Sequence, residues 1–445
     1  MRKFILLLII SLPLLSSCSK TGIDKVFDKT VDERLREVLS ADSAALVSST
    51  YGWKGVLNPG NGVGAYFFYF QFNADGTVSM VSDISPATAS VADTATYRLK
   101  AIQVPALIFD TYSYIHILSD PDGSVNGGVN GEGLKADFEF SINKITQDSV
   151  WLQGNHNNST LVLTHATQQE QQAYVSGALN TLISTAAAYM TAHPYQYITL
   201  PDGFQLPFGL SVVNKQIVMQ YVNEQNQVVN LLSTFYFTEN SLHLKEPVTY
   251  KGYSFQDVYW DSTLKAFYIL VNGQRIDVSV SAGALILPLQ PALNTQIKNG
   301  VYSSINVNPA SVGQSPAFTS LWADCKTKVA AVGGAGRVAD SVNMVFTGGA
   351  QMQMKYRYHN TAGTNFTATY TYNMSIDANT GVTDFTFVSQ DGNGNTVASG
   401  FKPFNDYIAN NLFRLDYIVN VSGTPVLGGV FNTTNPAFYY FGWLQ

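Results

Sequence analysis

The chain reads as a mainly β protein, a series of antiparallel barrels or sandwiches accompanied by two amphipathic helices. Three observations predict this. Charged residues make up only 13% of the 445 residues, about half the usual share, while aromatics also reach 13%, with 25 Tyr and 26 Phe. Stretches with a period of two, bounded by Gly/Asn turns, recur from Trp53 to the C-terminus. A helical apolar period is legible in two places, about 30–49 and 168–192. The length exceeds one hydrophobic core and predicts two or three domains.

The first eighteen residues give an address. Met1-Arg2-Lys3 precedes an apolar run, Phe4 to Leu15, which is too short to span a bilayer and has signal-peptide length. Leu15-Ser16-Ser17-Cys18 is a lipobox, so 1–17 is predicted to be a leader, Cys18 the lipidated first mature residue and 18–29 its tether. The expected location is therefore the outer membrane, on the cell surface or the periplasmic face. Without Arg2 and Lys3 the chain holds 23 basic residues against 31 acidic, a net charge of −8. An acidic chain with no basic run excludes nucleic acid as a partner, since phosphate binding needs clustered Lys and Arg. Cys325 is then the remaining thiol, so no internal disulfide is expected. In Leu321-Trp322-Ala323-Asp324-Cys325 it reads as a buried small hydrophobe.

Residues 30–166 are expected to form a helix and a first β domain. Thr30-Val31-Asp32-Glu33 is a capping box, and Val31, Leu35, Val38, Leu39 and Leu46 share one helical face. About eight strands follow, among them Tyr66–Phe72 and Thr77–Val81 around the turn Asn73-Ala74-Asp75-Gly76. That number suits a small barrel, with a lipocalin-like pocket as one outcome. Residues 167–292 repeat the order. A capping box at Thr167–Glu170 opens a single helix to about 192, with Val175, Leu179, Leu182, Ile183, Ala186 and Met190 on its apolar face, before seven or so strands. Pro288-Leu289-Gln290-Pro291 marks a boundary, because two prolines stop both helix and ladder. Residues 293–445 are read as a third, all-β sandwich, with Ala378–Gly381 and Asp391–Asn395 as hairpin turns.

The chemistry expected from these residues is sparse. The six histidines, at 116, 156, 165, 193, 243 and 359, lack metalloprotease spacing, and His116 is placed on a strand. Gly60-Asn61-Gly62-Val63-Gly64 leads into a strand with no Lys-Ser/Thr behind it, so it is a loop and not a phosphate cradle. Asp110 lacks the glycine and the twin of an aspartic protease. Asp391–Asn395 has the first spacings of a calcium loop but Thr396 and Lys402 at its Gly and Glu positions, and Asp120-Pro121-Asp122-Gly123 is shorter still. Trp53, Trp151, Trp260, Trp322 and Trp443 offer rings for stacking sugars, yet most are expected in cores. No catalytic residue, metal or cofactor is assigned, and the ligand-binding residues stay unknown.

Taken together, the chain resembles a family of Bacteroidota lipoproteins known as domain of unknown function 4302. The likeness rests on the lipobox, the helix Thr30–Ser49 running into Tyr51-Gly52-Trp53, and the strands around Asp75-Gly76-Thr77-Val78. Tyr97-Arg98-Leu99, Leu107–Tyr112 and Asp137–Phe140 also fit, most specifically over about 25–165 and more loosely to roughly 290. The resemblance implies a place near starch-utilisation-like outer-membrane transport proteins and brings no catalytic residues. The expected function is a non-enzymatic, lipid-anchored binding or accessory role in acquiring a glycan or peptide. A structural partner of outer-membrane complexes and a hydrolase with an unrecognised carboxylate pair are the alternatives.

Overall fold

In the computed structural model, which describes residues 28–445 apart from 63, 102–103, 335 and 421–425, three eight-stranded antiparallel rings follow one another. Cys18 and its leader lie outside the described residues.

The first ring runs from Trp53–Asn58 to Thr160–His165, and these two strands close it over the register Trp53↔His165 to Asn58↔Thr160. Its second strand, Tyr66–Phe72, explains the dense aromatic run. Phe68, Phe70 and Phe72 point into the ring, where they meet Phe109, Phe140 and Leu152. Phe67 and Tyr69 point outward into a different core. Side chains thus fill the interior that the lipocalin-like reading leaves for a ligand. Eight strands leave room for side chains or one small ligand, and here aromatic and aliphatic side chains take that room.

The second ring runs from Gln196–Thr199 to Gln274–Val280, closed by Val278↔Ile198 and Val280↔Gln196. It is fused to the first. Phe67, Tyr69 and Val81 of the first ring share one buried cluster with Leu179, Leu182, Phe235 and Phe237. At its centre Asp83, fully buried, accepts N–H groups from Phe67 and, across the junction, Phe237, both at 2.8 Å. Lys215 from the second ring brings its Nζ to 2.6 Å from Asp83 Oδ1, off the line of a well-directed hydrogen bond, and lies over the Tyr66 ring at 4.4 Å.

The helix Val31–Val47 carries the capping box expected at Thr30, with both reciprocal bonds formed. Its apolar face is only partly used: Leu46 is buried and its carbonyl accepts Trp53 Nε1 at 2.7 Å, but Val31 and Val38 are exposed. The second helix is two, Gln168–Val175 and Ala178–Ala192, not the single one predicted. Gly177, at φ +85°, turns the chain between them, a conformation that other L residues adopt at a cost. The break rotates the periodicity, so Tyr174 is buried where Val175 was expected, and Val175 is exposed.

The third unit is a ring and not the sandwich predicted. Its strands run from Ser304–Val307 to Tyr439–Leu444, which close it through Ile305↔Leu444 and Asn306↔Trp443. Two helices fill it, Pro316–Ala331 and Ala398–Ala409, and neither is anticipated above. Phe318, Trp322, Cys325 and Val329 from one, and Phe401, Phe404 and Ile408 from the other, pack on the inward residues Tyr356, Tyr370 and Tyr372. The segment after the second ring docks here as well, Leu287 donating its N–H to Tyr417 O at 2.9 Å.

Candidate functional site

Besides its two-residue closure, the third ring has a second short seam. Strand Val382–Gln390 pairs with Phe413–Ile418 only at Val382↔Arg414 and Thr383↔Phe413. Beyond Thr383 the two strands part. The chain leaves Gln390 through the short helix Gly392–Thr396, capped by Asp391, and Ala398–Ala409 follows and packs against the strand it came from. A cleft of about 500 Å³ lies between that helix and the inner face of strands Asn365–Ile376 and Val382–Gln390. This volume is in the range of small-molecule sites.

Its walls come from Tyr370, Tyr372, Phe387 and Gln390 on the strands and from Ser399, Lys402, Asn405 and Asp406 on the helix. Period two puts Tyr370 and Tyr372 on one face, and a bulge in the partner strand brings Gln390 and Phe387, three residues apart, opposite them. The helix residues recur at i, i+3, i+6 and i+7, and so form one stripe. A bulge at Thr371/Tyr372 sets Phe387 opposite Tyr372, with the rings edge to face at 5.7 Å. Phe387 is 46% exposed, whereas Tyr370 and Tyr372 are buried. Both Tyr356 and Tyr372 donate their hydroxyls to Asn405 Oδ1, at 2.8 and 2.9 Å, so the amide orientation is fixed. Tyr370 donates to Gly394 O at 2.9 Å. Burial, before any neighbouring charge, pushes the phenols of Tyr356, Tyr370 and Tyr372 above their ordinary range, so they stay neutral donors. Lys402 Nζ holds both oxygens of Asp406, at 2.9 and 2.7 Å, and Asp406 is the one carboxylate in the lining.

The residues singled out from sequence lie elsewhere and do not converge. His116 is not on a strand. It sits in the short helix Tyr114–Ile117, buried, with Nδ1 accepting the Ser113 N–H at 3.1 Å and its ring stacked on Phe138. Asp391 is spent as a cap, accepting the Gly394 N–H, and therefore starts a helix where a hairpin turn was predicted. Asp122 caps Gly123–Asn126 in the same way, and Asp120 accepts the Tyr112 hydroxyl at 2.6 Å. Asp110 pairs with Arg98 at 3.0 Å. Among the described residues no group of three or more His, Cys, Asp or Glu is placed to hold a metal ion. Cys325 is fully buried, and burial pushes its thiol up to about 11. Trp53 and Trp322 are core, Trp260 is half-buried against Tyr189 and Phe267, and Trp151 and Trp443 are exposed on different rings. Sequence reasoning missed the cleft because it missed the helix forming one wall. Phe401, Phe404 and Ile408 at i, i+3 and i+7 were the available signal, masked by Gly392, Gly394, Gly400 and Pro403.

Comparison with known proteins adds a family and little more. No curated protein matches the chain. Among solved structures, a protein with unknown function from the DUF3598 family of Nostoc punctiforme aligns over 74% of this chain and 96% of its own. At 9% identity and a TM-score of 0.15, that likeness is too slight to bear on fold or function. Residues 23–262 match the family described as a domain of unknown function (DUF4302), more than half of the sequence, and the chain belongs to that family.

Proposed function

We propose that this DUF4302 member is a lipid-anchored protein of the Bacteroidota outer membrane that captures a nutrient, glycan or peptide, without transforming it. The observation that carries the reading is the cleft in the third ring, where a half-exposed ring and an oriented amide stand beside a neutralised ion pair. Such a lining binds. Hydrolysis by the usual glycosidase route needs two carboxylates a few ångströms apart, whereas this cleft has Asp406 alone, already held by Lys402. The lipobox supports the anchor: Cys18 would carry the acyl chains and the tether to residue 29 would let the rings stand off the membrane. Neighbouring outer-membrane transport proteins are the partners this location implies.

Two experiments test the proposal. Affinity gels with plant and host polysaccharides, mucins and peptides should show retardation of the mature chain by at least one probe; none retarding it would refute capture. Replacing Cys18 with Ala should move the protein from the membrane to the soluble fraction, and unchanged membrane retention would refute the anchor.

A further inference from the structure

Resting on the capture reading, we infer that the cleft takes a neutral saccharide unit, with its ring on Phe387 and its hydroxyls on Gln390 and Asn405. Three features choose this class over a peptide or an anionic ligand. The first is charge. Lys402 and Asp406 bond each other through both carboxylate oxygens, and every other lining side chain is uncharged. The lining therefore carries no net charge, and a charged ligand would gain a counter-charge only by breaking this exposed pair.

The second feature is the pattern of donors and acceptors. A primary amide offers two of each. Asn405 Oδ1 accepts from Tyr356 and Tyr372, which occupies its acceptor sites, so what this amide offers a group in the cleft is an N–H. Gln390 Nε2 donates to Asn395 at 2.7 Å, which fixes that amide and leaves its Oε1 as an acceptor. A fixed donor and a fixed acceptor on facing walls suit hydroxyl groups, because each hydroxyl both gives and receives a hydrogen bond. The third feature is Phe387, held edge-on by Tyr372 and still 46% exposed. It presents a flat apolar surface to the C–H face of a sugar ring. A pyranose carries both kinds of surface at once.

The test uses the full mature chain in affinity gels and titration calorimetry. The probes are neutral polysaccharides (a glucan, a xylan, a mannan and a galactan), anionic polygalacturonate and a mixed tryptic peptide digest. At least one neutral polysaccharide is expected to bind. Phe387→Ala and Gln390→Ala should each weaken it tenfold or more with the thermal midpoint unchanged, while Trp151→Ala, on the first ring, should leave it intact. Binding of polygalacturonate or peptide that disappears in Phe387→Ala would overturn the neutral-saccharide class and leave the capture reading standing. Neutral binding unaffected by both cleft substitutions would overturn the site assignment alone. No binding to any probe would overturn both.

Discussion

Asp83 and Lys215 give the sharpest test of how the first two rings are joined. Both side chains are buried, and burial, ahead of their mutual attraction, holds the Asp83 carboxyl above its ordinary range and pulls the Lys215 amine below its own. The pair is therefore costly to keep, yet more costly to break. Asp83→Ala would strip the acceptor from the N–H groups of Phe67 and Phe237 and leave an ammonium group with no counter-charge in an aromatic core. Breaking a buried pair in this way costs about 3–5 kcal/mol. Lys215→Met should cost less, because Asp83 keeps both backbone donors and can take up a proton. The double variant Asp83→Asn/Lys215→Met, which has no charge to bury, should recover part of the loss. The assay is urea unfolding of the full chain, followed by fluorescence and limited proteolysis. Asp83→Ala should lower the transition of the first two rings together, since Phe67, Tyr69 and Val81 of the first ring are buried in the same cluster as Phe235 and Phe237 of the second. A loss below about 1 kcal/mol, or a first ring that unfolds while the second stays protease-resistant, would refute the idea of a fused unit.

Gly400→Ala should destabilise the third ring by about 1–3 kcal/mol, because the new methyl would sit 2.6 Å from Val329 Cγ2 and 2.9 Å from its Cα where the two helices cross. An unchanged urea midpoint would show that the crossing can relax. His116 is neutral and buried, its pKa lowered from the ordinary 6.5 by desolvation first. Its share of stability is thus complete above the unfolded value and is lost as pH falls toward the folded one. Melting between pH 7 and pH 5 should show a steeper decline in the native chain than in His116→Gln; equal slopes would refute this. Cys325, pushed up to about 11, should resist iodoacetamide at pH 8 in the native chain and react once urea is added, with mass spectrometry as the readout.

The legible parts of the fold were those with one dominant local signal. Thr30 and Glu33 make both bonds of their capping box, and so do Thr167 and Glu170, because the motif needs only four residues. The strands Tyr66–Phe72 and Thr77–Ser82 were visible through period two and through the Asp75-Gly76 turn, where Asp75 accepts the Thr77 N–H at 3.0 Å. What was not legible depended on tertiary context. Glycines read as turns hid Ala398–Ala409, since Gly400 serves there as the thin point of a helix crossing and not as a breaker. The count of eight strands offered a small barrel, but not the pairing that closes it: Trp53 and His165 stack at 4.1 Å across more than a hundred residues of chain, and no local pattern encodes that distance.

The position of the cleft has a structural reason. In the first two rings the closing strands pair over several residues, and among the described residues aliphatic and aromatic side chains pack the interiors. The third ring adds two helices to its own strand side chains in one core. The helix Ala398–Ala409 packs against strand Val382–Gln390, from which the chain returns through Gly392–Thr396. A seam paired at two positions and a helix wall offset from it leave a gap lined by whatever side chains face it, here rings and amides. The family match ends at residue 262, before any of these residues. The matched segment thus contains the fused pair's ion bridge, while the cleft belongs to the part beyond it. If binding is the function, its specificity should vary with residues 370–406 while the Asp83–Lys215 junction stays the same.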